Sequence, residues 1–395
     1  MFDPNRFIAD RARAIDASGI RRVFDLAASL KEPANLSIGQ PDFDVPQPVK
    51  QAAIDAIERG FNRYTQTQGA KPLLDKVNAL VTRHFPNWSP AGKNRPDGFG
   101  TLITSGTSGG LMLAILACVG PGDEVLIPDP YFVMYKHLVT LAGGTPVLVD
   151  TYPDFQFTAA RIEPHITPRT RMLLFNSPSN PTGVVASGQV CRDVVELCER
   201  RNILLLSDEI YDEFCYGDDP SGDNGFVSPA AISDHLLLLR GFSKTYGMTG
   251  WRLGWAVGPA PIINQMTKLQ QYSFVCAPSM AQLAGVVAMD MDMSSHVAAY
   301  RKKRDRVVQR LSKDGPYELT TPGGAFYAFP RVPEKLGLTA TQFVERAIER
   351  NLLIIPGSVF SSRDTHFRIS YACDDAMLDR GLDILLDLAS EAAPL

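Results

Sequence analysis

Short runs of leucine, isoleucine and valine recur through the middle of the chain, and segments long enough to form a helix separate most of them. The runs lack the apolar–polar alternation of a half-exposed strand, so both faces of each strand should be buried. Doubly buried strands joined by helices are typical of a mainly parallel sheet covered on both faces. We therefore predict an α/β fold with seven strands, at residues 101–104, 124–128, 146–150, 171–175, 203–207, 236–240 and 254–258.

The length of the chain and the pattern near its ends predict a second, smaller domain. The sequence has 395 residues, of which 45% are hydrophobic, and this is enough for roughly two closely packed domains. After residue 290, a long helical stretch precedes short strand-like runs in GAFYAFP and FRISYA. We expect residues 46–290 to form a large domain, and residues 291–395 to form a small α+β domain that the N-terminal segment, residues 1–45, joins.

Charge, hydropathy and cysteine usage exclude several classes of protein. The net charge is −4 and no basic block stands out, so we expect small-molecule partners and no nucleic acid or membrane surface. The longest apolar runs are too short to span a bilayer, and the first residues do not resemble a signal peptide. The six cysteines form no CxxC pair and the six histidines no zinc motif, so we expect a cytoplasmic protein with reduced thiols and no metal.

Polar residues follow the predicted strands at their carboxyl ends, where open parallel sheets bind ligands. The first strand is followed by SGTSGG and then a helix. Gly106, Thr107 and Ser108 can therefore hold a phosphate through backbone amides and hydroxyl groups, or they can form a plain capped turn. The sequence does not fit GxGxxG with a later acidic residue, which disfavours a dinucleotide.

Two further strand ends carry an amide and a carboxylate. Asn180, in NSPSNPTG after the fourth strand, can contact a ligand oxygen, although a turn is the simpler interpretation. Asp208 follows the fifth strand. This aspartate can cap a helix, or it can hold a cationic ring nitrogen in its protonated form.

One lysine, Lys244, lies just past the sixth strand in GFSKTYGMTGWRLGW, residues 241–255. Most lysines are solvated surface groups, but this one converges on the predicted phosphate-binding turn, where its amine can form a Schiff base with a carbonyl. Arg252 lies in a WRL triplet flanked by glycines. It can be a surface residue, or its guanidinium can bind a phosphate.

These motifs together resemble the class I and II aminotransferases of fold type I, which use pyridoxal 5′-phosphate (PLP). The resemblance covers nearly the whole chain, and the motifs occur in the family's order: SIGQPDFDVP, RYTQTQG, TSGTSGG, DPYFVMY, NSPSNPTG, SDEIYDEF, FSKTYGMTGWRLG, PGGAFYAF, PGSVF and FRISYA. It implies a PLP-binding fold that moves the α-amino group of an L-amino acid to a 2-oxo acid through PLP and pyridoxamine phosphate.

The resemblance also implies roles for residues around the ring of the cofactor. Lys244 resembles the lysine that forms the internal aldimine and moves the substrate proton. Asp208 resembles the partner of the pyridinium nitrogen. Asn180 and Tyr211 resemble the donors to the phenolic oxygen, and Phe132 resembles the aromatic residue that stacks on the ring.

Arg252, with Gly106, Thr107 and Ser108, resembles the family's phosphate clamp. Tyr64 is similar to the tyrosine that reaches the phosphate from the other subunit, so the resemblance implies a homodimer with shared active sites. Many relatives have a serine three residues before the lysine and a tryptophan or tyrosine at the stacking position. This chain has Gly241 and Phe132 there, which removes a hydroxyl from the clamp and a hydrogen-bonding group from the stacking position.

An arginine in FRISYA is the candidate for binding the substrate carboxylate. Phe367 and Ile369 alternate with Arg368, so the arginine points away from the core if that face of the strand is packed. The family's carboxylate-binding arginine matches Arg368, and the resemblance implies help from Gly39 and Asn180.

Two other functions, a β-lyase and a transcription regulator, compete with transamination. A PLP-dependent β-lyase (C–S lyase) has the same fold and lysine, and the motifs separate it poorly from an aminotransferase. A transcription regulator with an aminotransferase-like domain needs a helix-turn-helix domain first, and SIGQPDF begins at residue 37, leaving no room for one.

The sequence does not identify the amino-acid substrate. The positions expected to line the side-chain pocket, residues 15–22, 272–276 and 358–360, give no clear second arginine for a distal carboxylate. This favours neutral or aromatic amino acids, with 2-oxoglutarate or pyruvate as the acceptor.

Overall fold

Strands and helices alternate along most of the chain in the computed structural model, which describes residues 2–16, 19, 30–91, 98–217 and 225–391. The strands are β1 (Ala34–Asn35), β2 (Phe99–Ser105), β3 (Glu124–Asp129), β4 (Thr145–Asp150), β5 (Thr170–Asn176), β6 (Leu204–Asp208), β7 (Leu236–Gly241), β8 (Leu253–Pro259), β9 (Tyr327–Ala328), β10 (Leu352–Leu353), β11 (Ile355–Pro356) and β12 (Phe367–Ser370). The α-helices are α1 (Asp10–Arg13), α2 (Gln47–Glu58), α3 (Lys71–His84), α4 (Gly106–Cys118), α5 (Met134–Leu141), α6 (Ala159–Ile162), α7 (Gly188–Arg201), α8 (Ala260–Gln271), α9 (Ser279–Ala288), α10 (Ser294–Val308), α11 (Ala340–Glu349) and α12 (Asp375–Ser390).

Within the described residues, seven strands form one sheet in the order β2-β8-β7-β6-β5-β3-β4. Strand β8 runs antiparallel to both of its neighbours, and the other adjacent pairs are parallel. The predicted mainly parallel α/β sheet is therefore confirmed, and each of the seven predicted strands coincides with an observed one to within a few residues.

The continuous apolar runs arise because the two faces of the sheet are both buried. In β7, Leu236 and Leu238 pack into a core with α3 and α9. The intervening residues Leu237 and Leu239 pack on the opposite face with α4 and α8. All four leucines are at most 1% exposed. Helices therefore cover both faces, which explains why no polar residue alternates with the leucines.

A third core, in addition to the two that cover the faces of the sheet, brings together residues from the N-terminal and C-terminal parts of the described chain. Ala34 and Leu36 are buried there with residues of β9, α11 and α12, and β1 pairs in parallel with β10. Helix α11 begins with a capping box on Thr339, and α12 begins with a cap from Asp374. The domain boundaries at residues 45 and 290 stay a prediction.

The carboxyl ends of the parallel strands lie along one edge of the large sheet. Asn176 at the end of β5 is in register with Asp208 at the end of β6. Gly241 at the end of β7 pairs with Gly254 near the start of the antiparallel strand β8. This edge therefore gathers the loops that follow β2, β5, β6 and β7 together with the loop that precedes β8.

Neither a membrane-spanning helix nor a metal-binding cluster occurs in the described part of the chain. No helix there is long and apolar enough to cross a membrane. No group of three or more histidine, cysteine, aspartate or glutamate side chains there is arranged to hold a metal ion. All six cysteines are free thiols.

Candidate active site

A cavity of about 360 Å³ opens at the carboxyl edge of the sheet. Most of the site residues predicted from the sequence line it, although they come from distant parts of the chain. These residues are Gly39, Thr107, Ser108, Phe132, Asn180, Asp208, Tyr211, Lys244, Arg252 and Arg368. The structure therefore brings ten of the predicted residues together, while their individual roles stay predictions.

Lys244 reaches the cavity from the loop after β7. Its Nζ donates a hydrogen bond of 2.5 Å to the backbone oxygen of Gly39. Burial, together with the positive charges of Arg368 and Arg252, lowers the pKa of Lys244 to about 8, whereas Asp208 opposes the shift. This pKa gives the amine a far larger uncharged fraction at neutral pH than an ordinary lysine has, and a nucleophile or proton acceptor must be uncharged.

Asp208 lies at the end of β6 and is 4% exposed. Its Oδ2 accepts a hydrogen bond of 2.7 Å from the Tyr135 hydroxyl, and its backbone oxygen accepts one from the Asn176 side chain. Burial raises the pKa of Asp208 to about 6, with the hydrogen bond from Tyr135 opposing the shift. A buried carboxylate of this kind favours a cationic group beside it.

The next residue, Glu209, points into a separate buried cluster behind the cavity. Its carboxylate accepts hydrogen bonds from Ser207, Ser228 and Arg240, and Arg240 also pairs with Asp212 at 2.8 Å. Arg240 lies on β7, so this buried ion pair ties the ends of β6 and β7 together. These are the strand ends that carry Asp208 and lead to Lys244.

The start of α4 forms a cradle for an anion. Gly106 has a φ of 68°, and a Cβ there would lie 2.5 Å from Arg252 Nη2. Thr107 Oγ1 is buried without a hydrogen-bond partner among the described residues. The helix N-terminus, an unpaired hydroxyl and a guanidinium are the groups that bind a phosphate, so the cradle fits that part of PLP.

Gly241 shows why a serine is absent from the position before Phe242. A Cβ on Gly241 would lie 2.6 Å from Thr107 Oγ1 and 2.9 Å from Ile210 Cδ1. The space into which a serine would project is therefore occupied by the hydroxyl of Thr107. The cradle keeps a hydroxyl at this point, although a different residue supplies it.

Arg368 lies on β12 and is 2% exposed. Its Nη1 donates to Asn180 Oδ1 at 3.0 Å, and its Nη2 donates to the backbone oxygen of Ser37 at 2.8 Å. Its Nε is buried and has no hydrogen-bond partner in the described chain. A buried guanidinium that lines a cavity and keeps one donor unpaired is suited to bind a carboxylate.

Tyr211 and Phe132 lie on other walls of the cavity. The Tyr211 hydroxyl forms a hydrogen bond of 2.8 Å with the Tyr327 hydroxyl. Burial raises the pKa of Tyr211, and the neighbouring Tyr327 raises it further, so Tyr211 keeps its proton. Phe132 packs edge-to-face against Tyr135.

Tyr64 does not line the cavity of its own chain. Its side chain is 82% exposed and lies beside Phe61 and Arg63 in a surface groove of about 1220 Å³. An exposed tyrosine outside the cavity agrees with a residue that acts on another molecule, and this role of Tyr64 stays a prediction.

Sequence reasoning missed several residues that line the cavity. Tyr135, Asn176, Ser243 and Tyr327 carry polar groups, and the others complete the walls: Ser37, Ile38, Gln40, Leu111, Ile210 and Thr249. Ser243 is adjacent to Lys244, and Tyr135 and Tyr327 lie within motifs already quoted from the sequence, so proximity to a recognised motif was the available signal.

Comparison with known proteins identifies the family. The family model described as "Aminotransferase class I and II" matches residues 31–385. The chain is 34% identical to the aspartate aminotransferase of Pyrococcus abyssi and 32% identical to aromatic-amino-acid aminotransferase 2 of Thermococcus litoralis, each match covering 95% of this chain and 96% of the relative. The solved structure of aspartate aminotransferase from Rhizobium meliloti superposes with a TM-score of 0.90 at 33% identity over 100% of both chains. The chain therefore belongs to the class I and II aminotransferases, a PLP-dependent family, and is an aminotransferase.

Proposed function

We propose that this aminotransferase binds PLP in the cavity beside Lys244 and moves the α-amino group of an L-amino acid to a 2-oxo acid. One observation carries the proposal: a desolvated lysine amine shares a single cavity with the buried carboxylate of Asp208, the anion cradle at Thr107 and the guanidinium of Arg368. Each of these groups matches one part of the cofactor or of an amino acid.

The residues around Lys244 provide a place for each polar atom of PLP. Thr107, Ser108 and Arg252 hold its phosphate, while Asp208 keeps its ring nitrogen protonated. Asn180 and Tyr211 donate to the phenolic oxygen, and Phe132 covers one face of the ring. When bound, PLP supplies an electron-withdrawing ring that stabilises the negative charge left on the substrate Cα when its proton is removed.

Arg368 and Lys244 then act on the substrate. Arg368 grips the carboxylate that every α-amino acid carries, with the backbone N–H of Gly39 as a second donor. This grip orients the Cα–H bond toward Lys244. The neutral Nζ would accept the Cα proton and pass it to C4′ of the cofactor, and the lowered pKa of Lys244 suits both the uptake and the release of the proton.

The substrate that this cavity favours has a neutral or aromatic side chain. Among the described residues that line it, the cations are Lys244, Arg252 and Arg368, and each already has a role toward the cofactor or the α-carboxylate. A distal carboxylate would lack a partner from this part of the chain. The expected pocket positions 17–18 and 20–22 lie outside the described residues. The proposed acceptor is 2-oxoglutarate or pyruvate, and of these two only pyruvate lacks a distal carboxylate.

The proposal includes a homodimer that shares its two active sites. Ile57 near the end of α2 and Phe61 and Tyr64 just beyond it are exposed, and Tyr272 is 84% exposed. Large apolar side chains clustered at the surface are typical of an interface. A two-fold dimer that buries them would bring Tyr64 to the phosphate cradle of the partner.

The free thiols agree with a cytoplasmic location.

Trapping the cofactor tests this function. Borohydride reduction of the PLP-loaded protein should leave a stable adduct that peptide mapping places on Lys244. The Lys71→Ala variant serves as a control, because Lys71 is an exposed lysine paired with Asp75, and it should give the same adduct. An unchanged adduct in Lys244→Ala would contradict the assignment.

Substrate addition separates transamination from elimination. With an amino acid and no acceptor, bound PLP should be converted to pyridoxamine phosphate in the wild-type protein. Release of pyruvate and ammonia from a cysteine conjugate, without that conversion, would instead identify a β-lyase.

A further inference from the structure

Tyr327 contacts three residues of the site, although the proposed function assigns it no role. It lies on β9, is 1% exposed and is held in register with Ser370 of β12. Its hydroxyl meets that of Tyr211, its ring meets the guanidinium of Arg368, and its end lies against Gly39. One buried side chain therefore links the proposed cofactor-binding and carboxylate-binding parts of the cavity.

Either hydroxyl can donate the hydrogen bond between Tyr327 and Tyr211, and the contact proposed between Tyr211 and the cofactor assigns its direction. Each hydroxyl has one proton, and burial raises the pKa of both tyrosines, so both stay protonated. Within the described residues, the Tyr327 hydroxyl has the Tyr211 oxygen as its hydrogen-bond partner. If Tyr327 donates, its proton is satisfied and the Tyr211 proton is free to point into the cavity. In the reverse direction Tyr211 could not also donate to the phenolic oxygen of the cofactor, because its one proton would be used on Tyr327.

The ring of Tyr327 supports Arg368 from a second direction. The Cζ atom of Arg368 lies 4.6 Å from the centre of the Tyr327 ring and 4.7 Å from that of Phe360. Contact with a ring face stabilises a desolvated guanidinium. Arg368 makes two hydrogen bonds, so these rings and bonds together fix its plane while its Nε stays unpaired.

Gly39 provides the space that the Tyr327 hydroxyl needs. A Cβ on Gly39 would lie 2.6 Å from that oxygen, which is shorter than any stable contact between them. The same glycine accepts the hydrogen bond from Lys244 through its backbone oxygen. Its lack of a side chain therefore allows Tyr327 to reach Tyr211 beside the reactive lysine.

We propose that Tyr327 is a positioning residue for the transfer reaction: its hydroxyl donates to Tyr211 and aims the Tyr211 proton at the phenolic oxygen of the cofactor, while its ring fixes the plane of Arg368. The inference rests on the proposed function, because it requires PLP beside Tyr211. Donation from Tyr327 also polarises the Tyr211 hydroxyl and strengthens the bond that Tyr211 makes.

The Tyr327→Phe variant tests the hydroxyl while it keeps the ring. A weaker bond from Tyr211 stabilises a negative phenolic oxygen less, so the pH at which the visible absorbance of the bound cofactor changes should rise. We expect a rise of about half a pH unit, the order of effect for one lost neutral hydrogen bond. The charged and titratable groups that face this pair are Arg368, Asp208 and Lys244, and the variant leaves all three in place.

Tyr317→Phe is the matched control. Tyr317 is also a buried tyrosine of the third core, but its hydroxyl donates to the backbone oxygen of Leu385, away from the cavity. It should leave the midpoint of the absorbance titration unchanged. An unchanged midpoint in Tyr327→Phe would overturn the role of the hydroxyl, as would an equal shift in the control.

Two further variants separate the hydroxyl from the ring. Gly39→Ala should push the Tyr327 hydroxyl away and raise the midpoint in the same direction, so a failure of Tyr327→Phe to fold would not leave the proposal untested. Tyr327→Leu, which also removes the ring, should raise KM for the amino acid at least about fivefold over that of Tyr327→Phe, since a desolvated cation–π contact is lost. Equal KM values in the two variants would overturn the role of the ring.

The outcomes distinguish this inference from the proposed function. If the wild-type protein forms no borohydride-reducible adduct on Lys244, the proposed function fails. If the adduct forms and Tyr327→Phe matches the wild-type titration, only the role of Tyr327 fails.

Discussion

The Nζ of Lys244 donates a hydrogen bond to the backbone oxygen of Gly39, which is 205 residues away in the sequence. Gly39 belongs to the segment that follows β1, whereas Lys244 follows β7 of the large sheet. The contact therefore holds the amine between the large sheet and the third core. In this position Lys244 is desolvated, and the positive charges of Arg368 and Arg252 help to lower its pKa.

The first prediction concerns the pH dependence of cofactor capture. Only the neutral amine attacks an aldehyde, and burial lowers the pKa of Lys244 to about 8. The rate at which the cofactor-free protein takes up PLP should therefore rise with pH, reach half of its maximum near pH 8 and level off above that pH. An ordinary lysine would give a rate that rises to about pH 10.4.

Stopped-flow absorbance at a fixed PLP concentration measures this rate. Arg368→Gln removes a positive charge that lowers the pKa of Lys244, so its plateau should move to higher pH. A wild-type rate that still increases at pH 10 would contradict the lowered pKa.

The second prediction concerns Arg368→Lys. Lysine keeps the charge but loses the planar fork that donates two parallel hydrogen bonds. One charge-assisted bond corresponds to about 1.5–3 kcal/mol, so kcat/KM should fall at least about tenfold for every amino acid tested. PLP binding should be unchanged, because Arg368 lies away from the anion cradle.

Arg331→Lys is the control for this prediction. Arg331 is a partly exposed arginine that pairs with Glu318 and Glu334 outside the cavity, and its substitution should leave kcat/KM unchanged. A loss confined to acidic amino acids would place Arg368 at the side-chain pocket instead of at the α-carboxylate.

The sheet and the residues at its edge could be predicted because both depend on local pattern. Continuous apolar runs identify strands that are buried on both faces, and the carboxyl ends of parallel strands meet at one edge. Asp208 and Lys244 follow two such runs directly. Their proximity therefore required no knowledge of side-chain packing.

Contacts between side chains on distant elements could not be predicted in this way. Tyr135 and Asp208 are 73 residues apart, and Tyr211 and Tyr327 are 116 residues apart. Each pair forms only because a helix or a short strand packs at a particular angle on the sheet, and no periodicity in the sequence encodes that angle. The surroundings of Gly241 could not be predicted either. The sequence shows that a serine hydroxyl is absent at this position, but it does not show that the Thr107 hydroxyl lies in its place.

The third prediction concerns the shared active site. In a homodimer, Tyr64→Phe weakens the phosphate contact of the partner, and Lys244→Ala abolishes the site of its own chain. Mixing the two variants should restore one site per heterodimer, which contains Lys244 from one subunit and Tyr64 from the other. Activity should rise after mixing and exchange, above the sum of the separate proteins.

Differently tagged subunits show whether exchange has taken place. A tagged heterodimer without restored activity would exclude sharing through Tyr64. A protein that is monomeric by light scattering at assay concentrations would contradict the proposed homodimer itself.

The last prediction compares two changes at the buried carboxylate of Asp208. Asp208→Asn is nearly isosteric but cannot carry the negative charge that keeps a ring nitrogen protonated. Loss of one partner from a buried ion pair typically corresponds to 3–5 kcal/mol, so the single-turnover rate with an amino acid should fall at least about a hundredfold. Tyr135→Phe keeps the charge and removes one hydrogen bond to Oδ2, so its effect should be about tenfold.

The relative size of these two rate losses identifies the group that acts on the ring nitrogen of the cofactor. Both variants should still bind PLP through the cradle at Thr107 and Arg252, as measured by equilibrium dialysis. Asp383→Asn, at a surface ion pair with Arg310, should match the wild-type rate. A larger loss in Tyr135→Phe than in Asp208→Asn would show that the tyrosine hydroxyl, and not the carboxylate charge, is the group on which the reaction depends.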